Sequence, residues 1–215
     1  MLFRSYISSK KYISNDIGFG NGLFFSIGYL IGTGARSVVS SDGINWTVGT
    51  TNMSDFSWKV VYGNNTYLGV EYDTLTPRSA YSSDGLNWTL ASGPGSFQGW
   101  QDVAFGNGRF VTIGSGGQSA ATSTDGINWT LQDLGSGISF GCVGYGADKF
   151  VTLDLVYVSG SPVRYLPDIR VWASGVYSDP SAIGTNWIMT LGYDKVGFYA
   201  FGQTRDRKST RLNSS

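Results

Sequence analysis

The 215-residue chain carries 15 Lys and Arg against 15 Asp and Glu and no His, so its net charge is zero and it has no basic footprint for nucleic acid. Gly occurs 31 times and aromatics make up 15%, whereas charged residues are only 14%; this excludes a coiled coil or long-helix protein and, with so much apolar surface to bury, argues against disorder. The single cysteine, Cys142, and the absence of His leave no internal disulfide and no Cys/His metal cluster, no run approaches the roughly 18 apolar residues of a membrane span, and the opening MLFRSYISSKKYIS lacks the apolar stretch of a signal peptide.

In chain order, two markers alternate. FGNG (Phe19–Gly22) is followed by SSDGINWT (Ser40–Thr47), YGNN (Tyr62–Asn65) by SSDGLNWT (Ser82–Thr89), and FGNG (Phe105–Gly108) by STDGINWT (Ser123–Thr130). A fourth copy opens with YGAD (Tyr145–Asp148) and continues to a worn YSDPSAIGTNWIMT (Tyr177–Thr190), and a fifth begins at GYDKVGFYAFG (Gly192–Gly202). Trp46, Trp88 and Trp129 are spaced 42 and 41 residues, and the first markers 43, 43 and 40. Two markers in one register define a repeat of about 42 residues.

Each period reads as four short strands. In the third copy these are Trp100–Phe105, Arg109–Gly114, Ser119–Thr124 and Ile127–Gln132, with tight turns at Gly106–Gly108 and Asp125–Gly126. Four strands per period, repeated, predict an all-β chain: a β-propeller of four-stranded antiparallel blades, incomplete, with four blades and part of a fifth. A β-solenoid is the alternative, but its coils are shorter and parallel, whereas Asp-Gly and Asn-Gly turns call for antiparallel hairpins. The propeller is expected over residues 1–205. Residues 206–215, DRKSTRLNSS, match one reading frame of a common sequencing adapter, so this segment is expected to be disordered and to pair with nothing, and the chain is expected to be a fragment of a longer protein.

The S-x-D-G-x-N-W-T element resembles the Asp-box, or bacterial neuraminidase repeat, of sialidase-like propellers. The matching residues are Ser40, Asp42, Gly43 and Trp46; Ser82, Asp84, Gly85 and Trp88; and Ser123, Asp125, Gly126 and Trp129. Gly follows Asp directly, so the turn is shorter than in sialidases, and the whole blade looks closer to repeats of bacterial surface proteins and tailed-phage structural proteins. The resemblance implies a surface or virion location. The box is read as structural: Asp accepts backbone N–H groups at a turn, and Trp, three residues after Gly, is expected at an equivalent buried position in each blade. The triplets at Asn45, Asn87 and Asn128 match N-glycosylation acceptors only as a by-product of the repeat.

Function is expected in the loops between second and third strands, which vary while the turns do not. These are Tyr29–Arg36, Tyr72–Arg78, Gly114–Ser119 and an insertion of about 17 residues within Asp154–Arg170. The insertion supplies Tyr157, Arg164, Tyr165 and Arg170, and Arg36 and Arg78 each stand six residues before a box Asp. Aromatics stack on sugar or peptide faces and Arg forks onto carboxylates, so a glycan or protein ligand is expected there, and the remainder of the longer chain is a further expected partner. For catalysis the supply is poor: Glu71 is the one glutamate, and Asp73 and Asp154 are not singled out by any pattern. The reading is therefore a non-enzymatic scaffold and recognition module needing no cofactor, with a sialidase-like glycoside hydrolase fragment as the alternative.

Overall fold

The computed structural model describes the backbone of residues 3–7, 10–53, 58–71, 78–93, 98–115, 120–132, 140–154, 164–165, 188–194, 197–202 and 210–211, with side chains inside 11–152. The chain is all-β: an incomplete β-propeller of antiparallel blades. The first sheet holds β1 (Phe3–Ile7), β2 (Lys10–Ser14), β3 (Gly18–Gly20), β4 (Leu23–Leu30), β5 (Gly34–Ser40) and β6 (Thr47–Val48). The second holds β7 (Trp58–Gly63), β8 (Thr66–Glu71), β9 (Arg78–Ser82) and β10 (Thr89–Ser92). The third holds β11 (Gln98–Gly106), β12 (Arg109–Ser115), β13 (Ala120–Ser123) and β14 (Thr130–Gln132). Among the described residues the fourth shows β15 (Phe140–Gly146), β16 (Lys149–Asp154) and β17 (Arg164–Tyr165), and the fifth shows β18 (Ile188–Asp194), β19 (Gly197–Gly202) and β20 (Thr210–Arg211). The first strands β3, β7, β11, β15 and β18 lie one beside the next, which makes them the inner, axial strands of the blades.

The first marker of the repeat has two jobs. Its turn residues take positive φ in pairs, Asn21 with Gly22, Asn64 with Asn65, Asn107 with Gly108, and Ala147 with Asp148, the backbone of a two-residue hairpin whose twist suits the flanking strands. The glycine before the turn is needed for a different reason. A Cβ on Gly20, Gly63 or Gly106 would stand 2.2, 2.1 and 2.1 Å from the ring of Tyr62, Phe105 and Tyr145, the marker aromatic of the following blade. Ring on bare backbone is thus the recurring contact between successive blades. Clusters of buried side chains fill the rest of each interface: Phe25, Ile27 and Val39 with Trp58, Val60 and Trp88 between the first two blades, and Leu68 and Val70 with Trp100, Val103 and Phe110 between the next two.

The inner strands are bulged. Register shifts fall between Gln98 and Trp100 and between Trp100 and Asp102 in β11, between Phe140 and Cys142 in β15, and between Ile188 and Thr190 in β18. The first blade has the same feature, because β2 and β3 both pair with β4 with one extra residue between Ser14 and Gly18. A bulge leaves a carbonyl out of the ladder, and a hydroxyl on the second strand takes it up: Ser26 Oγ donates to Asp16 O at 2.7 Å, Thr112 Oγ1 to Asp102 O at 2.9 Å and Thr152 Oγ1 to Cys142 O at 2.8 Å. Among the described inner strands β7 runs through without a shift, and there the hydroxyl position is Gly69; in the fifth blade, whose β18 is bulged, that position is Ala200.

Three expectations are corrected. The fourth strand of the third blade begins at Thr130, not Ile127, because the backbone N–H groups of Ile127 and Asn128 are taken by the Asp125 carboxylate and cannot join a ladder. The three box tryptophans are not equally buried: Trp88 is buried, whereas Trp46 and Trp129 are half-buried. Trp88 shares its cluster with Phe25 of the preceding blade and with Met53, whereas Trp46 packs against Tyr12, Leu30 and Val38 of its own sheet. Within residues 206–215, expected to pair with nothing, Thr210–Arg211 runs antiparallel to β19. The open edge of β19 accepts backbone partners without regard to their sequence.

Candidate functional site

Three residues before each marker aromatic stand Asp16, in the bulge that leads into β3, and Lys59, Asp102, Cys142 and Thr190 on the axial strands. Asp16 Oδ2 accepts the backbone N–H of Val60 in the next blade at 2.9 Å, and Asp102 Oδ2 accepts that of Val143 at the same distance. Both carboxylates are half-buried. Desolvation between the inner strands pushes Asp102 up to about 7, helped by the charge of Asp16 and opposed by Lys59 and by the N–H donors of Val143 and Val103. Desolvation also raises Asp16, against Lys59 and the N–H groups of Val60 and Ile17. The axis therefore carries an acid that exchanges its proton near neutrality, a cation and a second carboxylate, a set able to hydrogen-bond a polar ligand or relay a proton. Cys142 continues the row as a buried thiol.

The three boxes are superimposable hydrogen-bond networks. In the first, Ser40 Oγ donates to Asp42 Oδ1 at 2.9 Å and accepts the N–H of Gly43 at 2.9 Å. Asp42 Oδ1 accepts the N–H groups of Ile44 and Asn45 at 2.8 and 2.7 Å, and Oδ2 accepts Asn45 Nδ2 at 2.8 Å. Trp46 Nε1 donates to Gly43 O at 3.2 Å. Asp84 and Asp125 repeat each of these bonds with Ser82 and Asn87 and with Ser123 and Asn128. These donors hold Asp42 far below the usual carboxylate range, the Asn45 N–H first among them. At Asp84 desolvation pulls upward, but the donors of Asn87, Leu86 and Ser82 outweigh it and set the group at about 2. Asp125 is depressed in the same way, its desolvation outweighed by Asn128, Ile127 and Ser123.

The loop-face candidates are partly brought together. Arg36 on β5 sits opposite Gly28, and Arg78 opens β9 at the matching place, where β8 ends in Glu71. There the chain has an acid: Arg78 Nε donates to Glu71 Oε2 at 2.7 Å and Nη2 reaches Oε1, a two-pronged pair on a carboxylate that is 1% exposed. In the first blade Gly28 takes the place of that acid, and Arg36 Nη1 donates to Ala35 O at 2.6 Å. Arg164 and Tyr165, expected in an insertion loop, form β17 against Thr152 and Val151. Tyr157 and Arg170 lie outside the described residues, as does Asp73.

No family model and no curated protein matches the chain. Among solved structures it is similar in fold to YCF48 bound to D1 peptide (TM-score 0.56, 14% identity, 89% of this chain and 61% of that one). It is also similar to a chain of the nidogen/laminin complex (TM-score 0.54, 12% identity, 74% and 61%) and to the extracellular domain of a one-component system from B. thetaiotaomicron (TM-score 0.53, 9% identity, 98% and 32%). The chain thus spans less than two thirds of each of these structures.

Proposed function

We propose that the chain is a non-enzymatic recognition module: a propeller scaffold within a larger cell-surface or virion protein, whose second-to-third-strand face takes a glycan or protein ligand. The observation that carries this reading is the closure of Glu71, the one glutamate, onto Arg78. With each box carboxylate also bound by its own turn, Glu71, Asp42, Asp84 and Asp125 are all engaged in holding the fold. Arg36, at the same place as Arg78, has Gly28 rather than an acid across from it in the ladder, and it suits a carboxylate-bearing ligand. On this reading the S-x-D-G-x-N-W-T turns are Asp-boxes serving as folding devices.

A sialidase-like glycoside hydrolase fragment is the second reading, and one observation favours it. Asp102, held near 7 with Asp16 and Lys59 acting on it, has the protonation behaviour of a general acid. The full chain assayed on fluorogenic sialosides and other glycosides, and on glycan and peptide arrays, separates the two. Binding that falls on Arg36→Ala, without turnover, supports the recognition module. Hydrolysis abolished by Asp102→Asn in a chain that keeps its β circular dichroism overturns it.

A further inference from the structure

Every blade has a leading face, which meets the blade before it, and a trailing face, which meets the blade after. The leading face consists of the marker aromatic, the residue after the axial position and the box glycine. In the second to fourth blades this face is covered: Val60, Val103 and Val143 are 6%, 7% and 4% exposed, and Tyr62, Phe105 and Tyr145 lie on the preceding glycines. Box glycines Gly85 and Gly126 approach Val39 and Leu68 of the preceding blade, their Cβ positions 2.9 and 2.8 Å away.

The first blade presents the same face uncovered. Ile17 is 38% exposed and Phe19 61%, and the position of a Cβ on Gly43 meets only Phe24 of its own blade, at 3.8 Å. Phe19 is nevertheless held as its counterparts are. Its ring centroid lies 4.8 Å from that of Phe24 at 53°, against 4.7 Å and 56° for Tyr62 on Tyr67 and 4.9 Å and 55° for Phe105 on Phe110. The ring is set for a contact before the contact is made.

We infer that the first blade's leading face is a docking surface for a blade that ends its inner strand in glycine, and that Asp194 bars this chain's own fifth blade from it. The glycine is required because any Cβ at that place falls inside the docked ring, as Gly20, Gly63 and Gly106 show. In the fifth blade the last ladder pair of the first hairpin is Asp194 with Gly197, the place held by Gly20 with Leu23, Gly63 with Thr66 and Gly106 with Arg109. The next two residues in sequence are Lys195 and Val196, where the first three copies have Asn-Gly or Asn-Asn. The surface therefore continues an interface made within the chain, and its occupant is a repeat-type blade with the trailing glycine that blade five lacks.

The test is sedimentation velocity on the full chain over a wide concentration range. Wild type is expected to show no association that Phe19→Asp removes. The variant D194G/K195N/V196G, which restores the trailing glycine and turn, is expected to shift from monomer to dimer and longer head-to-tail species, because such a contact is not closed by symmetry. Adding F19D to it should return the monomer. D194G alone should show the same shift to a smaller extent, and decides the matter if the triple variant does not fold. Wild type that associates through Phe19 as the variant does, or glycine-restored variants that stay monomeric, would overturn the inference.

Discussion

Asp102 in the third blade receives the backbone N–H of Val143 in the fourth, 2.9 Å away. A side chain of one blade thereby completes a strand of the next, at the cost of drawing a carboxylate in between inner strands. Because desolvation lifts Asp102 from its ordinary 3.8 to about 7, the folded chain holds that proton more tightly than the unfolded chain does.

The consequence is a stability that depends on pH with a definite sign. A raised acid contributes most when protonated, so the Asp102 contribution is fully present below about pH 4 and is lost as pH climbs to about 7. Asp16 acts in the same direction. Urea midpoints measured across this window should fall with rising pH in wild type and flatten in Asp102→Asn. The box acids act oppositely and lower down: with Asp84 at about 2, its contribution is lost as pH falls from about 4 towards 2.

Asp84→Ala should destabilise by about 1–2 kcal/mol, the scale of losing a side-chain acceptor from a capped turn. It leaves the N–H groups of Leu86 and Asn87 without their acceptor. Asp84→Asn, which keeps one carbonyl oxygen, should cost less. Denaturant midpoints on the two variants give the order, and equal losses would show that the carboxylate geometry is unimportant.

Gly63→Ala should cost about 1–3 kcal/mol, the range for overpacking a close contact, because its new methyl lies within the Phe105 ring. Combined with Phe105→Ala, the glycine substitution should cost much less than it does alone. A double-mutant cycle with no coupling would place the strain elsewhere.

Arg78→Ala should destabilise by about 2–4 kcal/mol, since it strands a carboxylate that is 1% exposed. Glu71→Gln together with Arg78→Ala should recover part of that loss, as the stranded charge is removed. Thermal unfolding of the single and double variants reads this directly.

The blades were legible because Asn-Gly and Asp-Gly turns recur in step with aromatics, and β-hairpins require those turns. The bulges were not, since the residues left out of the ladder are Gly99 and Gln101 in one blade, Gly141 in another and Met189 in a third, with no chemistry common to all. The axial row is hidden in the sequence for a related reason. Asp16, Lys59, Asp102, Cys142 and Thr190 share a position, but only the two Asp share a residue type, so only counting three residues back from each marker aromatic would align them. Arg78 was visible as a cation but not as the partner of Glu71, because the pairing crosses from the end of one strand to the start of the next.

The ring-on-glycine contact makes blades interchangeable in one respect and not in another. Excising the second blade would bring Gly20 opposite Phe105 instead of Tyr62, a junction of a kind the chain already contains, so the array could shorten by its 43-residue spacing without reshaping that seam. The axis would not tolerate the same cut. It would set Asp16 beside Asp102 with Lys59 gone, two desolvated acids and no cation to moderate them. The blade with the unbulged strand is thus the one whose removal the seams permit and the charges forbid.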